Sequence, residues 1–242
     1  MIEIFHKDMN NFSATQKAYN VIYHEKGIHQ LDSFYLWLIG LLKAKQENLI
    51  LDISCGEGRL VNLAQMRGHR AIGVDFSLVG LKVGQKGHDI SSLSVGDGEI
   101  LPFPSDSIDC ITHIGSLEHY HHPMKGIEEV SRILKPGGKA IILLPNAFGL
   151  FGNVKYVMTH GEVFDDGQPI QRYATRMTWE GMLQKGNLKI IKVIPYTEFN
   201  FPRVWHDFLW MLTKPQRILR HIISLLIPVN LSNHLVYVCT KD

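Results

Sequence analysis

Asp52, Gly56 and Gly58 close a short apolar run, Leu49-Ile-Leu-Asp-Ile-Ser-Cys-Gly-Glu-Gly58, and further acids and histidines, Asp75, Asp97 and His119, close later runs of the same kind. A strand that passes through small residues into a helix aims backbone N–H groups into the crevice at its carboxyl end, where open α/β sheets hold ligands. Asp52 lies inside that strand end, ahead of the glycines. A carboxylate buried there needs a partner, and an ammonium group on a ligand, met directly or through water, would supply one. The spacing does not fit the G-x-G-x-x-G loop of nicotinamide-binding proteins. With Gly56 and Gly58 in its first two positions, Val61 takes the third, and starting at Ser54 loses the first. A nicotinamide-dependent oxidoreductase is therefore the less favoured reading of this loop.

The elements that must position these residues follow from the hydrophobic pattern. Residues 13–45 carry apolar side chains at three- and four-residue intervals and read as two helices, either packed on the core or capping a pocket. From residue 49, strands and helices alternate: 49–54 strand, 58–68 helix ended by Gly68, 70–77 strand, a weaker helix to about residue 87, strands at 90–98 and 108–116, a helix at 122–138 ended by Pro136 and Gly137, and a strand at 139–145. That alternation predicts a parallel sheet with helices on both faces. About thirty residues, 147–177, then form a loop long enough to be functional or to hold small elements of its own. Thr178 is expected to cap a short helix ending at Gly186. Strands at 188–199 and 234–241 follow, separated by an insertion, 200–233, of helical periodicity. In it Arg217, Arg220, His221 and Ser224 share one face and Ile218, Leu219, Ile222, Ile223 and Leu226 the other.

Taken together, the motifs resemble those of the class I S-adenosylmethionine-dependent methyltransferases, in particular the group similar to ubiquinone/menaquinone C-methyltransferases (methyltransferase type 11). Their first motif, [DE]-x-G-x-G-x-G, stands here as Asp52-Ile-Ser54-Cys-Gly56-Glu-Gly58, with serine where the family has its first glycine. The acid ending the second strand is Asp75. The stretch D-[AG]-x-x-L-P-F-x-x-x-S-[FI]-D is matched by Asp97-Gly98-Glu-Ile-Leu101-Pro-Phe103 and Ser107-Ile-Asp109. "GSLEHYHHP" and "ILKPGGKAIILLPN" match the segment beside the methyl group and the following helix, turn and strand. The dense resemblance runs from Leu49 to Asn146; beyond that it is one of topology.

The resemblance implies a Rossmann-like, seven-stranded, mostly parallel sheet with its last strand antiparallel, helices on both faces, amino-terminal helices and a helical insertion before the last strand. It implies one methyltransferase domain over 1–242: a helical cap at 1–46, a cofactor core at 47–146, a substrate loop at 147–177 and the insertion at 200–233. S-adenosylmethionine would be the cofactor and S-adenosylhomocysteine the product. Asp52, Ser54, Cys55, Gly56 and Gly58 would hold the methionyl part, and Asp75 and Phe76 the ribose and adenine. Asp97 would take the adenine amino group, Gly98 would offer an N–H to a ring nitrogen, and Ser116, Leu117 and His119 would border the methyl. Asp109 would be structural.

Transfer from a sulfonium is an in-line displacement that releases a neutral sulfide, so placing the nucleophile supplies much of the acceleration. A base matters when an O–H or N–H must lose its proton. Among His119, His121 and His122, the candidate base is His119, whose alternative role is packing or hydrogen bonding at the strand end. His160, Glu162, Asp165 and Asp166 have no metal-ligand spacing and read as solvated loop residues, so no metal is expected. Tyr23, Phe148, Trp205 and Trp210 fall in segments expected to fold over the strand ends; Tyr23, Phe148 and Trp205 are the candidate substrate contacts, favouring a partly apolar, small-molecule acceptor, lipid-linked or glycosylated. A SAM- or SAH-binding partner subunit without transfer activity is the alternative function.

The bulk numbers bound the rest. With 242 residues, 45% of them hydrophobic, a formal net charge of +2 and scattered cations, the chain can bury a full core and no nucleic acid partner is indicated. The cysteines, Cys55, Cys110 and Cys239, form no disulfide or zinc pattern, and a reducing, cytoplasmic setting is expected. No run of about 18 apolar residues is present, and residues 1–12 lack the apolar region of a signal peptide. The basic amphipathic segment near Arg217 leaves core packing, a lid or peripheral membrane contact open.

Overall fold

The computed structural model describes residues 1–6, 12–25, 27–28, 30–87, 92–197, 202–214, 218, 222–223 and 225–242. In chain order the elements are β1 (Ile2–Phe5), α1 (Phe12–Glu25), α2 (Asp32–Leu42), β2 (Leu49–Ile53), α3 (Arg59–Met66), β3 (Arg70–Asp75), α4 (Leu78–Gly87), β4 (Leu93–Val95) and β5 (Ile108–Ile114). They continue with α5 (Pro123–Ile133), β6 (Leu134–Pro145), α6 (Lys155–His160), β7 (Ile170–Tyr173), α7 (Arg176–Lys185), β8 (Lys189–Tyr196), α8 (Trp205–Leu212) and β9 (His234–Thr240). The pattern of apolar periodicities thus becomes a seven-stranded sheet of order β4-β3-β2-β5-β6-β9-β8. β2 to β6 pair in parallel, and β9 runs antiparallel between β6 and β8, as expected for the last strand.

Alternation along each central strand sorts its side chains between the two faces. Leu51, Ile111 and Ile142 join Ile127, Trp179 and Leu183 of α5 and α7 in one core cluster. Their sequence neighbours Ile50, Cys110 and Ile141 join Leu38, Leu42, Leu60 and Val61 of α2 and α3 in the other. Register fixes where the strands end: Ile53 lies opposite both Val74 and His113, which brings Asp75 and Ile114 to the same edge of the sheet. Asp109 has the structural role expected of it, accepting the Leu49 N–H at 2.9 Å and the Lys135 ammonium at 2.7 Å.

Three features depart from the sequence reading. The helix expected over 122–138 ends at Ile133, and Pro136 and Gly137 lie in β6, which begins at Leu134. The 147–177 stretch holds α6 and β7, and β7 pairs antiparallel with β1 as a separate two-stranded sheet, Ile2 opposite Tyr173 and Phe5 opposite Ile170. All four residues of β7 are buried, including Gln171 and Arg172. Its polar middle hides it from a hydropathy pattern. The cap of α7 is Thr175, whose Oγ1 accepts the Thr178 N–H at 3.2 Å; Thr178 is inside the helix, its hydroxyl 2.9 Å from that of Thr175. The face with Arg217, Arg220, His221 and Ser224 lies outside the described residues.

Because the cap satisfies a helix N–H that otherwise has no partner, Thr175→Ala should cost about 1 kcal/mol of stability. Thr178→Ala, which leaves that N–H bonded, should cost less than half as much. Urea denaturation midpoints of the two variants check this, and a larger loss in Thr178→Ala would reassign the cap.

Candidate active site

The loop after β2 turns through three left-handed positions, Ser54 (φ 55°), Gly56 (φ 54°) and Gly58 (φ 71°). At Gly56 a side chain would also be only 2.8 Å from Tyr23 Oη, so glycine is required twice over. The turn is tied to β3 through Asp75. Its Oδ2 accepts the Gly56 N–H and its Oδ1 the Ser77 N–H, each at 2.8 Å. Asp52 is buried and, among the described residues, accepts the Thr112 hydroxyl at 2.6 Å and no other donor. Asp97 accepts the Glu99 N–H at 2.8 Å, and the Ser54 hydroxyl lies 2.8 Å from Tyr120 Oη. At Gly98 a Cβ would fall 1.8 Å from Tyr120 Oη, so this tyrosine approaches the backbone as only glycine permits.

Burial disfavours the charged form of a carboxylate. It pushes Asp52 up to about 7, against the Thr112 hydrogen bond and with a further push from the charge of Asp75. It pushes Asp75 up to about 6 despite the bonds from Ser77 and Gly56. The Cys55 thiol is likewise raised by burial, then by Asp52 and Asp75.

These strand tips open onto two adjoining cavities. The larger, about 660 Å³, is lined by Asp52, Ser54, Cys55 and Gly56. The smaller, about 100 Å³, is lined by Asp75, Phe76, Asp97, Gly98 and Ser116. Tyr23, Ser54, Gly115 and His119 line both, so the three acids stand around two cavities that share a wall. Helix α1 covers the smaller compartment: Phe12 and Tyr19 set ring edges against Phe76 at 5.8 and 5.4 Å, and the Gln16 amide donates to the Phe76 carbonyl at 2.6 Å. Of the two roles open for the amino-terminal helices, α1 caps the pocket, while α2 packs in the core and lends Phe34 and Tyr35 to the larger cavity.

The segment after β5 is held by Arg172. Its guanidinium, buried on β7, donates to the carbonyls of Glu118 at 3.1 Å, of Tyr120, and of His121 at 3.5 Å, and to Glu3 of β1 at 2.6 Å. A fork of fixed N–H donors suits this clustering of carbonyls. His119 Nδ1 meets the Ile170 carbonyl, which can only accept, so Nδ1 carries the proton and Nε2 is left as the basic nitrogen. Nε2 is 3.9 Å from Glu118 Oε1, and Glu118 Oε2 is buried with no hydrogen-bond partner among the described residues. Burial pushes His119 down, outweighing the Ile170 carbonyl, which with the charge of Asp166 raises it; Arg172 lowers it further. It pushes Glu118 up to about 8, with Asp166 adding to the rise.

Several expected contacts are placed elsewhere. Leu117 is fully buried in the core cluster and lines neither cavity, because the short turn after Ser116 rotates it under the sheet edge. Gly58 lines neither as well: it caps α3, pressed against Leu93, where a Cβ would meet the leucine at 2.7 Å. Phe148 is exposed outside the cavity, and Trp205 is 72% exposed on α8. Phe151 and Phe164 line the larger cavity instead. Trp210 does not line either cavity. His121 meets Thr15 Oγ1 at 3.1 Å, and His122 pairs with Glu99 at 2.9 Å. His160 and Asp166 line the larger cavity, whereas Asp165 pairs with His6 and Glu162 is exposed. Among the described residues no three histidines, cysteines or acids are grouped to hold a metal ion. Glu118 is the residue the sequence reading passed over, although it stands between Leu117 and His119 at a strand end.

A proton held by Glu118 in the folded state is released by the unfolded chain near the ordinary glutamate range. Its contribution to stability is therefore full below that range and is lost as pH rises toward about 8. Asp52, raised to about 7, acts in the same direction. The buried, lowered His113 and His119 act oppositely, but only below about pH 6.5, where the unfolded chain protonates them. Between about pH 6.5 and 8, Glu118→Gln should therefore flatten the decline in stability by up to about 1 kcal/mol per pH unit. Melting temperatures of both proteins across that window test it, and parallel curves would show that Glu118 does not titrate there.

Residues 51–142 match the family model of the methyltransferase domain. A demethylmenaquinone methyltransferase of Renibacterium salmoninarum is 33% identical over 93 residues, which are 38% of this chain and 39% of that protein. A phthiotriol/phenolphthiotriol dimycocerosates methyltransferase of Mycobacterium leprae is 37% identical over 103 residues, 39% of this chain and 38% of that protein. The chain thus spans about two fifths of the length of these relatives. An S-adenosylmethionine dependent methyltransferase from Mesorhizobium loti shares the fold with a TM-score of 0.63 at 14% identity, over 86% of this chain and 98% of that one. Geranyl diphosphate C-methyltransferase from Streptomyces coelicolor A3(2) does so with a TM-score of 0.62 at 15% identity, over 98% and 86%. Across residues 51–142, where the glycine turn and the acidic strand tips lie, the chain is similar to the methyltransferase domain family.

Proposed function

We propose that the chain transfers the methyl group of S-adenosylmethionine to a small-molecule acceptor held in the larger cavity. The observation that carries this reading is the arrangement of Asp52, Asp75 and Asp97 at strand tips around two adjoining cavities with a shared wall. All three are acceptor-only groups when ionised. The ligand offers donors for each: an ammonium, a ribose diol and an adenine amino group. Asp75 already accepts one N–H on each oxygen, and each oxygen keeps a further lone-pair direction for a ribose hydroxyl. Asp97 and Gly98 border the smaller compartment for the base, and Phe12, Tyr19 and Phe76 exclude water around it.

When bound, the cofactor supplies a methyl group on a positively charged sulfur. Tyr23, Ser54, Gly115 and His119, which border both compartments, mark where that methyl faces the acceptor. For an acceptor whose O–H or N–H must lose a proton, His119 Nε2 is the nearest basic nitrogen, and Glu118 stands behind it. The wall beyond them carries Phe34, Tyr35, Phe151, Phe164 and Tyr196, which suits an acceptor with a substantial apolar part. The names of the two relatives, one for demethylmenaquinone and one for phthiotriol dimycocerosates, support that class. On this reading residues 1–242 work as one methyltransferase unit, with α1 over the cofactor and 147–177 on the acceptor side.

Calorimetric titration should show S-adenosylhomocysteine binding and no binding of NADH. Asp75→Ala removes a charged acceptor whose hydrogen bonds are worth about 1.5 to 3 kcal/mol, so it should weaken the affinity on the order of tenfold to a hundredfold. Circular dichroism confirms that the variant is folded. Equal affinity in a folded Asp75→Ala protein would remove the basis of the assignment.

A further inference from the structure

Helix α8 is built inside out. Its buried side chain is its acid, Asp207, which accepts the Ser33 N–H at 2.7 Å and stands 3.2 Å from His206 Nε2. Its large apolar residues Trp205, Leu209 and Leu212 are exposed. A helix that faces water does the reverse, turning its apolar stripe to the core. The exposure continues after the helix through Ile222, Ile223 and Leu225 to Leu226, which is 81% exposed. Exposed apolar side chains concentrated in one stretch of chain mark a contact with something other than water.

The charge of the stretch says what that is. Residues 202–226 contain Arg203, Lys214, Arg217 and Arg220, and Asp207 is their only acid. Asp207 is buried, so among the described residues of the stretch Arg203, Lys214 and apolar groups are exposed and no anion is. Lys214 Nζ lies 5.5 Å from the Trp210 ring centre, and Trp205 stacks on Phe208 at 5.3 Å. Tryptophan and lysine beside exposed leucines is the composition of a segment that rests in a lipid headgroup region. A second copy of the chain would bring the same cations to the contact and no exposed acid to meet them.

We propose that this face docks on an anionic lipid bilayer, with Trp205, Leu209 and Leu226 entering the headgroup boundary. Its position serves the site. The Arg203 N–H donates to the Ser33 hydroxyl at 2.6 Å, and His206 stands 3.3 Å from Asp32, so α8 is fastened to the first turn of α2. The next residues of that turn, Phe34 and Tyr35, line the larger cavity. A bilayer against α8 therefore lies one helix away from the acceptor compartment. That an acceptor dissolved in it reaches the cavity without crossing water rests on the methyltransferase reading; the docking itself does not.

The test is co-sedimentation of the full chain with vesicles of phosphatidylcholine alone and of equal parts phosphatidylcholine and phosphatidylglycerol, in low and high salt. The expected result is sedimentation with the anionic vesicles, weakened by salt. The Leu209→Glu/Leu226→Glu variant should reduce it about tenfold or more, because it removes apolar area and adds repelled charge, while leaving S-adenosylhomocysteine affinity unchanged. Wild-type protein that stays in the supernatant with anionic vesicles, or a variant that sediments equally, overturns the proposal. So does a dimer in light scattering that the variant dissolves without any vesicle binding. Failure to bind S-adenosylhomocysteine would defeat the methyltransferase reading and leave the docking result standing.

Discussion

The site is organised by a shortage of positive charge. Asp52, Asp75 and Glu118 are all buried along the adjoining cavities, and among the described residues no lysine or arginine pairs with any of them. The arginines are engaged elsewhere: Arg59 with Asp32, Arg132 with Glu129, Arg172 with Glu3. Moving a carboxylate out of water is costly unless a counter-charge or hydrogen bonds compensate. Thr112, Gly56 and Ser77 offset part of the cost, and the upward shifts of Asp52 to about 7 and Glu118 to about 8 measure what is left. A proton or a cation supplies the remainder. A ligand with an ammonium and a sulfonium meets this demand, whereas the pyrophosphate of a dinucleotide would bring negative charge to the same acids. The electrostatics therefore disfavour a dinucleotide, as the glycine spacing does.

The second half of the site depends on a polar strand. β7 adds nothing to the main sheet, yet it places Arg172 where one guanidinium gathers the carbonyls of Glu118, Tyr120 and His121. The same strand offers the Ile170 carbonyl that fixes the His119 tautomer, and Gln171 and Tyr173 to the cavity wall. β1 holds the strand from its other side, through its ladder and through Glu3. The chain's first residues thus act on the segment after β5 over a long separation in sequence. On the opposite wall the link is shorter: Thr15 meets His121, Gln16 meets the Phe76 carbonyl, and Asn20 accepts from the Ser77 hydroxyl at 2.6 Å. Side-chain contacts alone join α1 to the loops beneath it in these bonds, so the helix over the smaller cavity is held more lightly than the sheet it closes.

What could be read in the sequence was whatever a local pattern controls. The run from Leu49 into Gly56 fixes strand, turn and helix because burial, left-handed backbone and a following apolar stripe all act within a dozen residues. Asp75 and Asp97 stand at the ends of apolar runs, but it is the resemblance to the family motifs that singles them out. β1 and β7 were not, because their pairing joins residues 2–5 to 170–173 and the buried face of β7 carries Gln171 and Arg172, which no hydropathy pattern marks. Aromatic residues in loops were misassigned in a consistent way. Phe148 and Trp205 were expected inside and lie outside, while Phe151 and Phe164 line the cavity. Composition says that a loop has apolar groups to bury; only the path of the backbone says which of them turns inward. Helix α8 carries the argument furthest. The helical periodicity expected across 200–233 is met by α8, but a period identifies a helix and not its surroundings. The buried Asp207 settles the orientation, since the single hydrogen bond to Ser33 N holds the polar side against the protein and leaves the apolar side facing out.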